Sequence, residues 1–287
     1  MNTNFKKAIQ LFQNGQIIMA KKICLKILQN EPNNFMNLNL LGIILFQNKD
    51  FKKSIELIKQ SIEINPNQAE ANNNIGLMYI ELKEYKNAIK HLENSIKINP
   101  NFSEAFNNLG VSYKELNQNE KALINWKKAI ELNPKNFQAY NNIGSNFLDR
   151  KKVKLAIEYF EKTIKINNKF NIAYFNLGNA YQKLRFLDDS IKNYSIAINL
   201  NVKYAEAYYN RGNSFRDLGL LDKALHDYKK AYEINPNLKD LFGNIVSIKN
   251  NICEWKNFDE DLIFIKNKII EDKKIINPFA ALNLIDT

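Results

Sequence analysis

A chain of 287 residues with 45% apolar and 11% aromatic residues has enough apolar surface for burial, and no run approaches the roughly 18 consecutive apolar residues of a membrane span. The formal charge of +11 raises nucleic acid or a membrane surface as partners, but the lysines are scattered, with pairs such as Lys127-Lys128 and Lys229-Lys230 on outward helix positions. A solvated basic exterior is therefore expected, with no nucleic-acid and no membrane partner. Only Cys24 and Cys253 are present, far apart in sequence, which argues against a disulfide framework. The opening MNTNFKKAIQLFQ lacks the apolar core and small-residue cleavage site of a secretory signal, so the expected compartment is cytoplasmic.

Glycine recurs at 42, 76, 110, 144, 178 and 212, an interval of 34 residues, and proline at 32, 66, 100, 134 and 236 keeps the same register. Such a period implies stacked helical hairpins. With Phe35 as position 1, glycine is position 8 and proline position 32, and seven repeats begin at Met1, Phe35, Ala69, Ser103, Phe137, Asn171 and Ala205. An all-α fold is expected: seven helix-turn-helix repeats over 1–238, an unpaired eighth first helix in 239–256, and an amphipathic connector helix and tail in 257–287.

Within a repeat, positions 4, 7, 8 and 11 make one stripe at helical spacing, as in Phe106, Leu109, Gly110 and Tyr113. Positions 20, 24 and 27 make a second, as in Ala122, Trp126 and Ala129. Each glycine inside a helix costs about 1 kcal/mol, so a register of six predicts close approach of the neighbouring helix. Asn-Pro pairs such as Asn65-Pro66 are expected to end the second helices, although the fifth and sixth repeats lack the proline.

This pattern resembles the tetratricopeptide repeat, whose signature the fourth repeat meets with Phe106, Leu109, Gly110, Tyr113, Ala122, Trp126, Ala129 and Pro134. The first repeat departs from it at Lys7 and Ala8. The resemblance covers 1–238 and implies a right-handed superhelical solenoid whose first helices line a concave side.

On those first helices positions 2, 6, 9 and 13 project opposite the core stripe and are expected to face that groove. Position 6 is asparagine six times in succession: Asn74, Asn108, Asn142, Asn176, Asn210 and Asn244. With 47 Asn in the chain one match means nothing; six in register carry the argument. An Asn amide offers an acceptor and two donors, suited to gripping the backbone of an extended peptide without reading its side chains. Glu70, Glu104, Glu206 and Asp240 at position 2, with Glu81, Glu115, Asp149 and Asp217 at position 13, flank the ladder with acid. An acid-edged groove favours unstructured protein segments over nucleic acid. Position 5 carries no lysine, which disfavours a clamp for a partner's C-terminal carboxylate.

Ile252-Cys253-Glu254-Trp255, an amphipathic stretch carrying Phe258, Leu262, Ile265 and Ile269, and Pro278-Phe279-Ala280-Ala281-Leu282 resemble the connector of O-linked N-acetylglucosamine transferase and its bacterial relatives. That resemblance implies a substrate-recognition arm whose downstream glycosyltransferase domain lies outside this chain, so no catalytic residue carries over. Cys253 and Trp255 are expected to pack over the last helix pair. A free-standing adaptor or scaffold is the other reading. His91 and His226 are expected to face solvent, with no ligand cluster at metal spacing, and no phosphate-binding glycine loop occurs. Neither cofactor nor metal is expected.

Overall fold

The computed structural model describes residues 3–253. Fifteen helices follow one another with no strand among the described residues. The seven hairpins are α1 (Thr3–Gln13) with α2 (Ile17–Asn30), α3 (Phe35–Gln47) with α4 (Phe51–Ile64), α5 (Ala69–Glu81) with α6 (Tyr85–Ile98), α7 (Ser103–Glu115) with α8 (Asn119–Leu132), α9 (Phe137–Asp149) with α10 (Val153–Ile166), α11 (Asn171–Lys183) with α12 (Leu187–Leu200), and α13 (Ala205–Asp217) with α14 (Leu221–Ile234). An eighth first helix, α15 (Leu241–Asn251), follows. It opens two residues later than the repeat register predicts, because Asp240 takes a left-handed backbone with φ 61°. The connector and tail expected over 257–287 lie outside the described residues, as does Trp255.

The described residues divide into two compact units, 3–142 and 143–253. In both, the glycine register has the reason expected of it. A Cβ built on Gly76 would lie 2.6 Å from Leu92 Cγ in the N-terminal unit. In the C-terminal unit, one built on Gly144 would lie 2.6 Å from Phe160 Cε1, and one on Gly178 2.6 Å from Tyr194 Cε1. Position 24 therefore sits flat on a bare backbone, and Trp126, Phe160, Tyr194 and Tyr228 are all fully buried. The second-helix stripe is buried throughout, with Ala122, Ala129, Ala156, Thr163, Ala224 and Ala231 at 0% exposure.

The core also uses positions that apolar periodicity passes over. Position 3 is Ala71, Ala105, Ala139, Ala173 and Ala207, each inaccessible to solvent, whereas the larger Phe106, Tyr140, Tyr174 and Tyr208 at position 4 are only half-buried. A small residue at position 3 lets a first helix press against the helix before it. Cys24 lies in the core of the first hairpin, where burial pushes its thiol up to about 11.

Proline is not what ends the second helices. All six from α4 to α14 stop at an asparagine with extended backbone, including Asn167 and Asn201, which no proline follows. The asparagine Oδ1 accepts the backbone N–H two residues on, from Asn65 to Asn67 at 3.2 Å through Asn235 to Asn237 at 3.1 Å. This local hydrogen bond turns the chain with or without the proline. Between the helices of each hairpin, position 15 is left-handed: Gly15, Lys49, Lys83, Asn117, Lys151, Arg185 and Gly219 all have φ between 59° and 75°.

Candidate peptide-binding face

Position 6 lies in the second turn of each first helix, within reach of the preceding repeat. In the N-terminal unit Asn108 Nδ2 donates to Asn73 Oδ1 at 3.0 Å, and Asn142 Nδ2 donates to Asn107 Oδ1 at 3.0 Å. In the C-terminal unit Asn176 Nδ2 donates to Ser145 Oγ at 3.4 Å, Asn210 Nδ2 to Asn179 Oδ1 at 2.9 Å, and Asn244 Nδ2 to the Tyr209 hydroxyl at 3.0 Å. Acceptors therefore come from position 5 or position 9 of the repeat before. All six ladder residues, Asn74 included, are half-buried.

Each such bond fixes an amide by its nitrogen and turns its carbonyl oxygen the other way. Among the described residues, Asn142 Oδ1 and Asn210 Oδ1 accept no hydrogen bond. The C-terminal unit adds a further restraint. The Tyr194 hydroxyl passes the bare backbone at Gly178 to donate to Asn179 Oδ1 at 2.7 Å, and Tyr228 does the same to Asn213 at 2.7 Å. Burial holds both phenols well above their usual range, so they remain hydroxyl donors at any physiological pH.

The acids stand at the two ends of the first helices. Glu70, Glu104 and Glu206 are exposed in the first turns of α5, α7 and α13, where a carboxylate suits the helix dipole. Glu81, Glu115, Asp149 and Asp217 are the last residues of α5, α7, α9 and α13. Two of these join adjacent hairpins: Glu115 accepts from the Tyr85 hydroxyl at 3.2 Å, and Asp217 from Arg185 at 2.8 Å. Asp240, half-buried, lies 3.9 Å from Lys239 at the entrance to α15.

Sequence reading missed one charged cluster. Arg211 occupies position 7, where other repeats carry the buried Leu41, Ile75, Leu109, Ile143 and Leu177. Its guanidinium grips Asp227 through Nε at 2.7 Å and Nη2 at 2.8 Å, and donates through Nη1 to Ser195 Oγ at 2.9 Å. Asp227 is 1% exposed. The signal was available, since an arginine in a leucine column demands a buried partner.

Two expectations need correction. His91 is half-buried, stacked on Tyr79 with centroids 5.7 Å apart and with Nδ1 3.4 Å from Asn72 Oδ1. Burial, with Lys59 and Lys90 nearby, holds it below its usual pKa. His226 is exposed, as expected. Cys253 is exposed with φ 57° instead of packing over the last helix pair, because the chain leaves α15 there through a left-handed residue. Among the described residues no cluster of His, Cys, Asp and Glu could hold a metal ion, and no helix is long and apolar enough to cross a membrane.

Models of the tetratricopeptide repeat match residues 103–136, 137–170 and 205–238, and a TPR repeat model matches 76–117. A model described as anaphase-promoting complex, cyclosome, subunit 3 matches 13–95. No curated protein matches the chain significantly. Among solved structures, the APC/C hetero-tetramer Cut9-Hcn1 aligns over 94% of this chain and 54% of its own at 20% identity, with a TM-score of 0.67. PilF of Pseudomonas aeruginosa aligns over 70% of this chain and 92% of its own at 19% identity, with a TM-score of 0.63. MamA covers 59% of this chain and 96% of its own at 25% identity, with a TM-score of 0.50. These likenesses carry the fold, and together with the repeat register, the glycine packing and the family matches they make the chain a tetratricopeptide-repeat protein, built as a protein-interaction module.

Proposed function

We propose that the chain binds extended, unstructured protein segments on its first-helix faces, gripping their backbone through Asn74, Asn108 and Asn142 in one unit and Asn176, Asn210 and Asn244 in the other. The observation that carries this reading is the fixed orientation of the ladder amides. In five of the six, all but Asn74, the nitrogen is engaged by the preceding repeat, which leaves preorganised carbonyl acceptors such as Asn142 Oδ1 and Asn210 Oδ1 for a peptide N–H. Backbone recognition of this kind is tolerant of sequence, and the acids at the helix ends favour segments carrying Lys, Arg or hydroxyl side chains.

The finer reading makes this face the substrate arm of a protein O-glycosyltransferase that uses a UDP-linked N-acetylglucosamine. It rests on the sequence element Ile252 to Trp255 and on Pro278 to Leu282, and it places all chemistry in a further domain. A free-standing adaptor uses the same face without that domain.

The experiment is a titration against an arrayed library of unstructured peptides, with Asn108→Ala/Asn142→Ala alongside and Asn87→Ala/Asn94→Ala on the exposed side of α6 as control. Binding that falls at least tenfold in the ladder variant only, below the unfolding temperature of both, supports the proposal. Equal binding by both variants overturns it.

A further inference from the structure

The first hairpin differs from the other six on its outward side. On α2, Ile18 is 86% exposed, Met19 60% and Leu25 47%. At 100° per residue, Ile18, Lys22, Leu25 and Gln29 share one strip, edged by Lys21 on one side and by Met19 and Lys26 on the other. The same four columns elsewhere read Lys52, Glu56, Lys59 and Glu63 in α4, or Lys154, Glu158, Glu161 and Lys165 in α10, with both signs of charge interspersed. In the first hairpin they hold two large apolar residues and no acid. Residues 3–30 carry Lys6, Lys7, Lys21, Lys22 and Lys26 without a single Asp or Glu. Lys7 and Lys26 line one crevice between α1 and α2, together with Asn4, Asn30 and Glu31.

We infer that this strip is a docking surface for an anionic lipid membrane. Charge complementarity selects a negative partner. The shape of the strip, a single protruding helix face with apolar side chains along its crest and lysines at its edges, is that of a helix lying in a bilayer interface. There the apolar side chains enter the acyl boundary, the lysine stems extend along them, and the ammonium groups meet lipid phosphates. This departs from the expectation of no membrane partner. That expectation averaged the lysines over the chain, whereas the structure sets Lys21, Lys22 and Lys26 beside three exposed apolar residues on one helix.

The test is sedimentation of the full chain with vesicles of phosphatidylcholine alone or with about one-third phosphatidylserine, a composition that gives the anionic surface potential on which polybasic helices act. The expected result is binding to the anionic vesicles only. It weakens at least tenfold in Ile18→Asn/Leu25→Asn and in Lys22→Gln/Lys26→Gln, and not in Lys127→Gln/Lys128→Gln. Since the replaced side chains are exposed, save the half-buried Lys128, thermal unfolding should be nearly unchanged, and closely similar melting temperatures confirm that the variants fold. Binding that all three variants retain, or that Lys127→Gln/Lys128→Gln weakens equally, reflects net charge and overturns the assignment. No binding to anionic vesicles also overturns it, and would turn attention to an acidic protein partner for the strip.

Discussion

Trp126 and Gly110 occupy one another's space. A Cβ on Gly110 would lie 2.5 Å from Trp126 Cδ1, while the indole Nε1 donates to the carbonyl of Asn107 at 3.1 Å, one turn before the glycine. The ring is thus pinned by a hydrogen bond in the position that forbids a side chain opposite, and it cannot swing away at small cost.

Gly110→Ala should therefore destabilise the protein even though alanine is the better helix former. Intrinsic propensity favours the change by about 1 kcal/mol, and overpacking against a pinned ring opposes it by about 2–3 kcal/mol, leaving a net loss of about 1–2 kcal/mol. Urea unfolding measures the difference. Unchanged or increased stability would mean that the indole moves freely and that the glycine register has another cause.

The hairpin turns offer the opposite change. Lys151 holds φ 59° where Gly15 and Gly219 hold the equivalent place in their own repeats. A side chain in the left-handed region costs about 1–2 kcal/mol, part of which glycine returns as greater freedom in the unfolded chain. Lys151→Gly should stabilise by about 0.5 kcal/mol net, read as an increase in the urea midpoint. A decrease would show that the lysine side chain makes contacts worth more than the strain.

How far the sequence could be read follows from what each residue type signals. The glycine register and the 20, 24 and 27 stripe were legible because large and absent side chains alternate at fixed spacing. Ala71, Ala105, Ala139, Ala173 and Ala207 were not, since a small residue in the tightest contact looks neutral on any apolar pattern. Left-handed turns at Lys49, Lys83 and Arg185 carry no glycine to announce them. The ladder was legible as a row of amides, but its bonding was not: whether Asn210 finds Asn179 or a position-5 neighbour depends on how one repeat seats on the last. Phe175 stands at position 5 of the sixth repeat, where Asn73 and Asn107 accept in the third and fourth, so the acceptor moves to position 9.

Arg211 and Asp227 form a buried ion pair whose two halves need each other. Arg211→Leu restores the leucine of the other repeats but strands a carboxylate that is 1% exposed, and should cost about 3–5 kcal/mol. Arg211→Leu/Asp227→Asn removes the stranded charge and should recover most of that loss, so the double-mutant cycle should show strong coupling. Additive losses would mean that the pair contributes nothing as a pair.

His91 makes stability depend on pH. Its folded pKa lies below the unfolded value of 6.5, chiefly through burial, so the unfolded chain takes up the proton more readily. The contribution of neutral His91 is fully present above about pH 6.5 and is lost as pH falls from there through the lower folded value. His91→Gln should flatten the decline in melting temperature between about pH 7 and pH 5 relative to the parent. A parent and variant with parallel profiles would place the pH dependence elsewhere.

Asn74 and Asn142 separate support from recognition within one unit. Asn142 Nδ2 donates to Asn107 Oδ1, and removing it leaves a half-buried acceptor without its donor, so Asn142→Ala should cost about 1 kcal/mol of stability as well as peptide affinity. Among the described residues the Asn74 side chain makes no hydrogen bond, so Asn74→Ala should leave the free energy of urea unfolding within about 0.5 kcal/mol of the parent while weakening peptide binding. Calorimetric titration of both variants with the tightest peptide from the array reads the affinities. If Asn74→Ala binds as the parent does and only Asn142→Ala is impaired, the ladder acts by holding repeats together, and the gripping surface lies elsewhere.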